Sequence, residues 1–193
     1  MDLIDAAYAR AEANGFGMSC EPPVGRLLAT LAAALPPGGR VLELGTGVGV
    51  GTAWLVSGLL PRADATLVSV ELDPATSALA AGAGWPDFVE LRVGDALEFL
   101  TAASPGTDDG GYDLIFADCV GGKIEGLEHT LARLNPRGAI VVDDMRTVDG
   151  WPDDFKVRQQ GVRRTLLDHP DLVSVELDHG SGVIISVRRP PAG

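Results

Sequence analysis

The chain of 193 residues is long enough for one domain with a substantial core, and hydrophobic residues make up 46% of it. Lys plus Arg number 15 against 27 Asp plus Glu, a formal charge of −12. That balance argues against a general binder of nucleic acid or of an anionic membrane, because phosphate recognition needs a basic face. The longest apolar run, around Leu27 to Leu35, is too short to span a bilayer, and Met1 to Asp5 lacks the cationic start of a signal peptide. Cys20 and Cys119 are too few for a disulfide scaffold and form no CxxC pair, so a reduced, cytoplasmic setting is the expectation.

The spacing of apolar residues predicts a first helix over Asp2 to Ala13, with Leu3, Ile4, Ala7, Tyr8 and Ala11 on one face. Asn14-Gly15-Phe16-Gly17 breaks it, and Met18 to Pro23 reads as an irregular link. A second helix over Val24 to Leu35 stops at Pro36-Pro37-Gly38-Gly39. Residues 1–37 thus read as a helical flap on a core of residues 38–193, together one domain. From Arg40 strands and helices alternate. Strands fall at Val41 to Leu44, Thr66 to Glu71, Phe88 to Val93, Tyr112 to Ala117 and Ala139 to Val142. Helices fall at Gly51 to Leu60, Pro74 to Ala81, Ala96 to Ala103 and Ile124 to Leu134, the last closed by Asn135-Pro136-Arg137-Gly138. Ser104 to Gly111 reads as a polar loop. Apolar strands separated by helices make a parallel sheet covered on both faces. A helix over Asp154 to Asp168 precedes two strands, Leu172 to Leu177 and Val183 to Arg188, whose short glycine-containing link makes an antiparallel hairpin. The sum is an α/β, doubly wound sheet of about seven strands.

The stretch Val41 to Thr52 is the centre of this pattern. Glu43-Leu44-Gly45-Thr46-Gly47-Val48-Gly49 leads from a buried strand, through glycines at every second position, into a helix. Such a turn lets a ligand approach the backbone and faces it with helix N–H groups. A dinucleotide fingerprint needs G-x-G-x-x-G. Val50 and Thr52 stand where that third glycine would fall, so the loop does not cradle a pyrophosphate. It leaves room for an amino-acid moiety attached to a ribose.

In an open α/β sheet, ligands bind beyond the carboxyl ends of the strands. Here those ends carry Glu43, Glu71 with Asp73, Asp95, Asp118, and Asp143-Asp144. Asp73 and Asp95 suit helix capping as well as ligand contact. Glu71, about twenty residues past the glycine loop, is placed to accept hydrogen bonds from both hydroxyls of a ribose.

The motifs Glu43 to Gly49, Val70-Glu71-Leu72-Asp73-Pro74, Gly94-Asp95-Ala96, Tyr112 to Asp118 and Gly138 to Asp144 resemble, in order, those of class I S-adenosylmethionine-dependent methyltransferases. The most similar group is the small O-methyltransferases of the catechol and caffeoyl-CoA type, over roughly Met18 to the C-terminus. The resemblance implies a Rossmann-like sheet in the order 3-2-1-4-5-7-6. It implies S-adenosyl-L-methionine as donor and a small hydroxylated, phenolic or catechol-like acceptor. Glu43 with Gly45, Thr46, Gly47 and Gly49 would lie along the methionine part. Glu71 would hold the ribose and Leu72 the adenine, with Asp95 and Ala96 at the adenine edge. Asp118 would lie near the cofactor's amino group and sulfonium, and Met18 and Ser19 would close over it.

Metal-dependent members bind a divalent ion such as Mg²⁺ through an Asp after strand four and an Asp-Asn pair after strand five. Asp118 and Asp143 match, while Asp144 replaces the Asn. Metal ligands would thus be Asp118, Asp143 and Asp144, and catalytic residues Asp118, Asp143 and Lys123. Lys123 stands two residues later than the family's lysine, beyond Gly121-Gly122. The sparse lid segments suggest an open acceptor site or one completed by a second subunit in a homodimer. Other readings kept open are a nitrogen acceptor, transfer of another group, a non-catalytic cofactor binder, and an NAD-dependent oxidoreductase. Beside these, His129 and His169 read as helix-surface residues and Cys119 as packing. His179 and Trp151 are candidates for the substrate side, and Arg146 for pairing with Asp144 or an acidic substrate.

Overall fold

A computed structural model describes residues 2–102 and 110–191. One seven-stranded sheet runs in the order β3-β2-β1-β4-β5-β7-β6. Its strands are β1 (Arg40–Leu44), β2 (Thr66–Glu71), β3 (Val89–Val93), β4 (Tyr112–Ala117), β5 (Leu134–Val142), β6 (Leu172–Leu177) and β7 (Val183–Arg188). Neighbours from β3 to β5 pair in parallel, while β7 pairs antiparallel with both β5 and β6. This is the doubly wound architecture read from the sequence, closed by its antiparallel hairpin.

Side chains alternate across each strand. Val41, Leu114, Phe116 and Val141 therefore enter one apolar cluster, and Leu42, Leu44, Ile115, Ala117, Ile140 and Val142 enter the other. The first cluster takes in α1 (Leu3–Ala13), α2 (Pro22–Ala33) and α3 (Val50–Leu59) through Ala7, Leu28 and Leu55. Ala80 of α4 (Pro74–Ala81) is fully buried as well. The second takes in α5 (Ala96–Ala102), α6 (Leu127–Ala132) and α7 (Asp153–Leu167) through Leu100, Leu131 and Leu166.

Both α1 and α2 pack on α3. The α2–α3 contact is close because it uses small residues: a Cβ on Gly58 would meet the Ala29 carbonyl carbon at 2.8 Å. Gly25 leaves the matching space for the Trp54 ring.

Two boundaries differ from the expectation in an informative way. The helix expected over Ile124 to Leu134 is only Leu127–Ala132. Gly126 takes a left-handed conformation at its start, and the Gly122 N–H donates to the Glu125 carbonyl at 2.6 Å, so the chain turns before it coils. The closing signal Asn135-Pro136-Arg137-Gly138 lies inside β5, not before it. Tyr112 already pairs with Leu134, and the register shifts before Leu114 pairs with Ala139. The intervening residues form a bulge, with Arg137 at φ 67°. The polar loop expected at Ser104 to Gly111 lies outside the described residues except for its last two glycines.

Candidate functional site

A cavity of about 550 Å³ opens beyond the carboxyl ends of β1, β2, β4 and β5. Gly45, Thr46, Gly47 and Val48 form its floor, Glu71 and Asp73 one end, and Asp118, Lys123 and Asp144 the other. Phe16, Met18 and Ser19 line it from the segment between α1 and α2, and Phe155 from α7. Several residues far apart in sequence therefore face one space. Met18 is 78% exposed, a large apolar side chain left open at the rim.

Glu43 is the centre of the floor. It is fully buried, because β1 is an interior strand between β2 and β4 and α3 covers it. Its Oε2 accepts from Ser69 Oγ at 2.5 Å and from Thr52 Oγ1, while Thr46 Oγ1 lies 2.5 Å from Ser69 Oγ. Its Oε1 has no hydrogen-bond partner among the described residues. Burial pushes the Glu43 carboxyl up to about 7, against the hydroxyl hydrogen bonds that favour its charged form. Ser19 Oγ, on the opposite wall, is likewise buried without a partner. Buried polar atoms are normally satisfied. Two such atoms bordering one cavity mark it as built around a polar ligand.

The glycine loop is held from two sides. Glu71 Oε2 accepts from the Gly47 N–H at 2.8 Å, and its Oε1 from the Asp73 N–H at 3.0 Å. Arg10 of α1 donates from Nε to the Val48 carbonyl at 2.7 Å. Gly45, Gly47 and Gly49 have φ of 99°, 54° and 88°, which an L side chain rarely adopts. At Gly49 a Cβ would also meet the Trp85 ring at 2.9 Å.

At the other end the strands β4 and β5 deliver Asp118 and Asp143-Asp144. Lys123 lies between them: its Nζ is 3.7 Å from Asp118 Oδ1 and 3.2 Å from Asp144 Oδ2, and it donates to the Asp143 carbonyl at 3.3 Å. The two extra glycines do not carry this lysine away. Gly122, at φ 82°, has no room for a side chain, since a Cβ would meet Leu44 at 2.6 Å and Thr130 at 2.8 Å, so the loop can pass tightly under the strand ends. Desolvation raises the Asp118 carboxyl well above the usual range, opposed by Lys123 and reinforced by Asp143, Asp144 and Glu43. Asp143 is raised for the same first reason, and its Oδ1 accepts from Ser181 Oγ and from the Asp144 N–H at 2.7 Å. Burial pushes the Cys119 thiol up to about 12 and raises Cys20 as well, so both stay protonated and unreactive near neutral pH.

The metal trio expected at Asp118, Asp143 and Asp144 is not brought together as a ligand set. Among the described residues no group of three or more His, Cys, Asp or Glu is placed to hold a metal ion. The reason is local: the Lys123 ammonium stands between Asp118 and Asp144, and Asp143 spends an oxygen on Ser181 and the backbone.

Four further expected residues do not line the cavity. Gly49 lies behind the loop as the N-cap of α3, and Leu72 is 66% exposed. Asp95 caps α5, its Oδ1 accepting from Leu97 N at 2.7 Å and Glu98 N at 3.1 Å. Ala96 follows it and is buried against Gly121. His179 contacts the Pro23 carbonyl at 2.9 Å, Arg146 pairs with Asp178, and Trp151 stacks edge-on against Phe155 at 5.1 Å, behind the cavity wall. Missed from the sequence were Phe16 and Phe155 on the walls, Ser69 and Thr52 around Glu43, and Arg10 behind the loop. Ser69 had a signal, being a polar residue in the middle of an apolar strand, and Thr52 ends the glycine run itself; the others come from distant elements with none.

Residues 42–145 match the family model described as a methyltransferase domain. The chain is 33% identical to a "putative O-methyltransferase" of Mycobacterium sp. (strain JLS), over 96% of this chain and 86% of that one. Two solved structures superpose with a TM-score of 0.79 at 25% identity: the O-methyltransferase TomG from Streptomyces achromogenes in complex with SAM, and the O-methyltransferase from Bacillus cereus in complex with SAH. The match covers 98% and 97% of this chain respectively, and 90% of each of the others. With the family model spanning more than half of the chain and a relative one third identical over nearly all of it, the chain belongs to the S-adenosylmethionine-dependent methyltransferase family, in the group of the small O-methyltransferases.

Proposed function

We propose that the chain transfers a methyl group from S-adenosyl-L-methionine to the oxygen of a small hydroxylated acceptor, phenolic or catechol-like. The carrying observation is the partnerless, buried Glu43 Oε1 on the floor of a carboxylate-rich cavity. A neutral or anionic ligand has little to gain there, whereas a cationic one satisfies the oxygen and the field together. When bound, the cofactor supplies an electrophilic methyl on a sulfonium.

Glu43 and the glycine loop bind its amino-acid part, Glu71 its ribose, and Met18 and Ser19 cover it. Asp118 lies between the donor and the acceptor end. In-line transfer requires the acceptor oxygen at near-attack distance and without its proton. Asp144 is the cavity-facing carboxylate that takes this proton, and the neighbouring Lys123 ammonium favours the oxyanion that results. Asp144 holds a left-handed backbone at φ 58°, tied down by Gln159 at its carbonyl, which directs its carboxylate toward Lys123. Phe155 offers the apolar wall for an aromatic acceptor.

The test is calorimetry with S-adenosylhomocysteine and with NAD, followed by transfer of labelled methyl to a panel of phenols, catechols and amines. Binding of S-adenosylhomocysteine and methylation of phenols are expected. Binding of NAD alone would overturn the donor, and methylation confined to amines would overturn the acceptor.

No helix among the described residues is long and apolar enough to cross a membrane. We further propose one functional domain acting on small molecules in a reducing, cytoplasmic setting, with both cysteines free. A homodimer completing the acceptor end is tested by light scattering against activity.

A further inference from the structure

The acceptor end of the cavity holds one charge arrangement that the donor reading does not use. Lys123 is 4% exposed and is the cation toward which Asp118 and Asp144 both turn. Its backbone is fixed from both sides. Gly122 is locked by Leu44 and by Thr130, whose Oγ1 donates to the Gly122 carbonyl at 2.7 Å, and Ile124 N donates to the Val120 carbonyl at 2.9 Å. The ammonium also donates to the Asp143 carbonyl at 3.3 Å.

A hard divalent ion needs several oxygens converging on one point. Here the two carboxylates that could converge are separated by an ammonium that satisfies both, and an added ion would have to share their field with that buried charge. We propose that Lys123 is the resident cation of this site, in place of a divalent metal, and that the acceptor docks through a single ionising hydroxyl rather than by chelation through two adjacent oxygens. The inference rests on the methyl-transfer reading for the word acceptor, but its test does not. It makes Lys123 a catalytic residue by contact with the reacting oxygen, held by Asp118 and by Asp144, which also takes the acceptor's proton.

The probe is Mn²⁺ alone, followed by its electron paramagnetic resonance signal in titrations of the full chain. The expected result is no stoichiometric binding by the unmodified chain. Stoichiometric Mn²⁺ binding by the unmodified chain, lost in Asp144→Ala, would overturn the proposal. A thermal double-mutant cycle provides the second arm, on Lys123→Met, Asp118→Asn and their combination. Lys123→Met is expected to lower the unfolding midpoint by several degrees, and adding Asp118→Asn to return part of that loss, since it removes the carboxylate left without its cation. Strictly additive shifts would overturn the assignment of Lys123 as their shared counter-ion. S-adenosylhomocysteine calorimetry on the same samples reports on the donor site separately, so a failed donor reading leaves the Mn²⁺ result standing.

Discussion

Replacing Glu43 by Gln should raise the stability of the protein and lower its affinity for the cofactor. Glu43 is fully buried, and its carboxyl is raised from 4.5 to about 7 by desolvation. A carboxyl raised on folding contributes stability below its unfolded value, and that contribution is lost as the pH rises through the folded value. The window therefore runs from about pH 4.5 to about pH 7. At roughly 1.4 kcal/mol per unit, the loss across it is about 3 kcal/mol. Gln keeps one oxygen to accept from Ser69 and Thr52 and carries no charge to desolvate. Its advantage over Glu should accordingly grow by up to about 3 kcal/mol between pH 4.5 and pH 8, a shift of roughly 6–12 °C in midpoint for a chain of this size.

The same change places an amide where Glu43 Oε1 awaits a donor. Loss of a charged hydrogen bond should weaken S-adenosylhomocysteine binding by about 1.5–3 kcal/mol, ten- to hundredfold. The assays are thermal unfolding of ligand-free protein at several pH values and calorimetry with S-adenosylhomocysteine. A Glu43→Gln midpoint that tracks the unmodified protein in parallel from pH 4.5 to pH 8 would refute the reasoning, because Glu43 would then not be the buried titrating group.

Glu71→Ala removes the anchor of the Gly47 N–H as well as the proposed ribose contact, so S-adenosylhomocysteine affinity should fall about ten- to hundredfold in calorimetry. Arg10→Ala removes the 2.7 Å bond to the Val48 carbonyl from a helix that does not line the cavity; about a tenfold loss of affinity with little change in midpoint is expected. Gly58→Ala forces α2 away from α3 at the Ala29 carbonyl and should cost about 1–3 kcal/mol in urea unfolding, with an unchanged denaturant slope.

The glycine-loop end of the cavity was legible because it is local. Glu43 and its glycines lie in one run, and β1 must be buried on both faces, so the carboxylate and the turn behind it share one place by covalent geometry alone. Glu71 was legible through its distance from that loop. The end around Lys123 was not. The sequence offers Asp118, Asp143 and Asp144 as a metal set and puts Lys123 out of step by two residues. Only the folded loop, with Gly122 pressed on Leu44, returns the lysine to a position between the acids. The helix expected over Ile124 to Leu134 failed for a related reason. Its apolar periodicity is real, yet the ladder with Tyr112 claims Leu134 and the left-handed Gly126 delays the start.

Alternation of apolar strands and helices, glycine spacing and the carboxylate at each strand end determine the sheet, its covered faces and the glycine-loop end of the cavity, because these depend on periods and neighbours within short segments. Where Lys123 stands among the acids, which side chains wall the cavity and which acids cap helices instead of facing it depend on contacts between segments far apart in the chain. Those were decided by tertiary packing, which sets a buried lysine between Asp118 and Asp144.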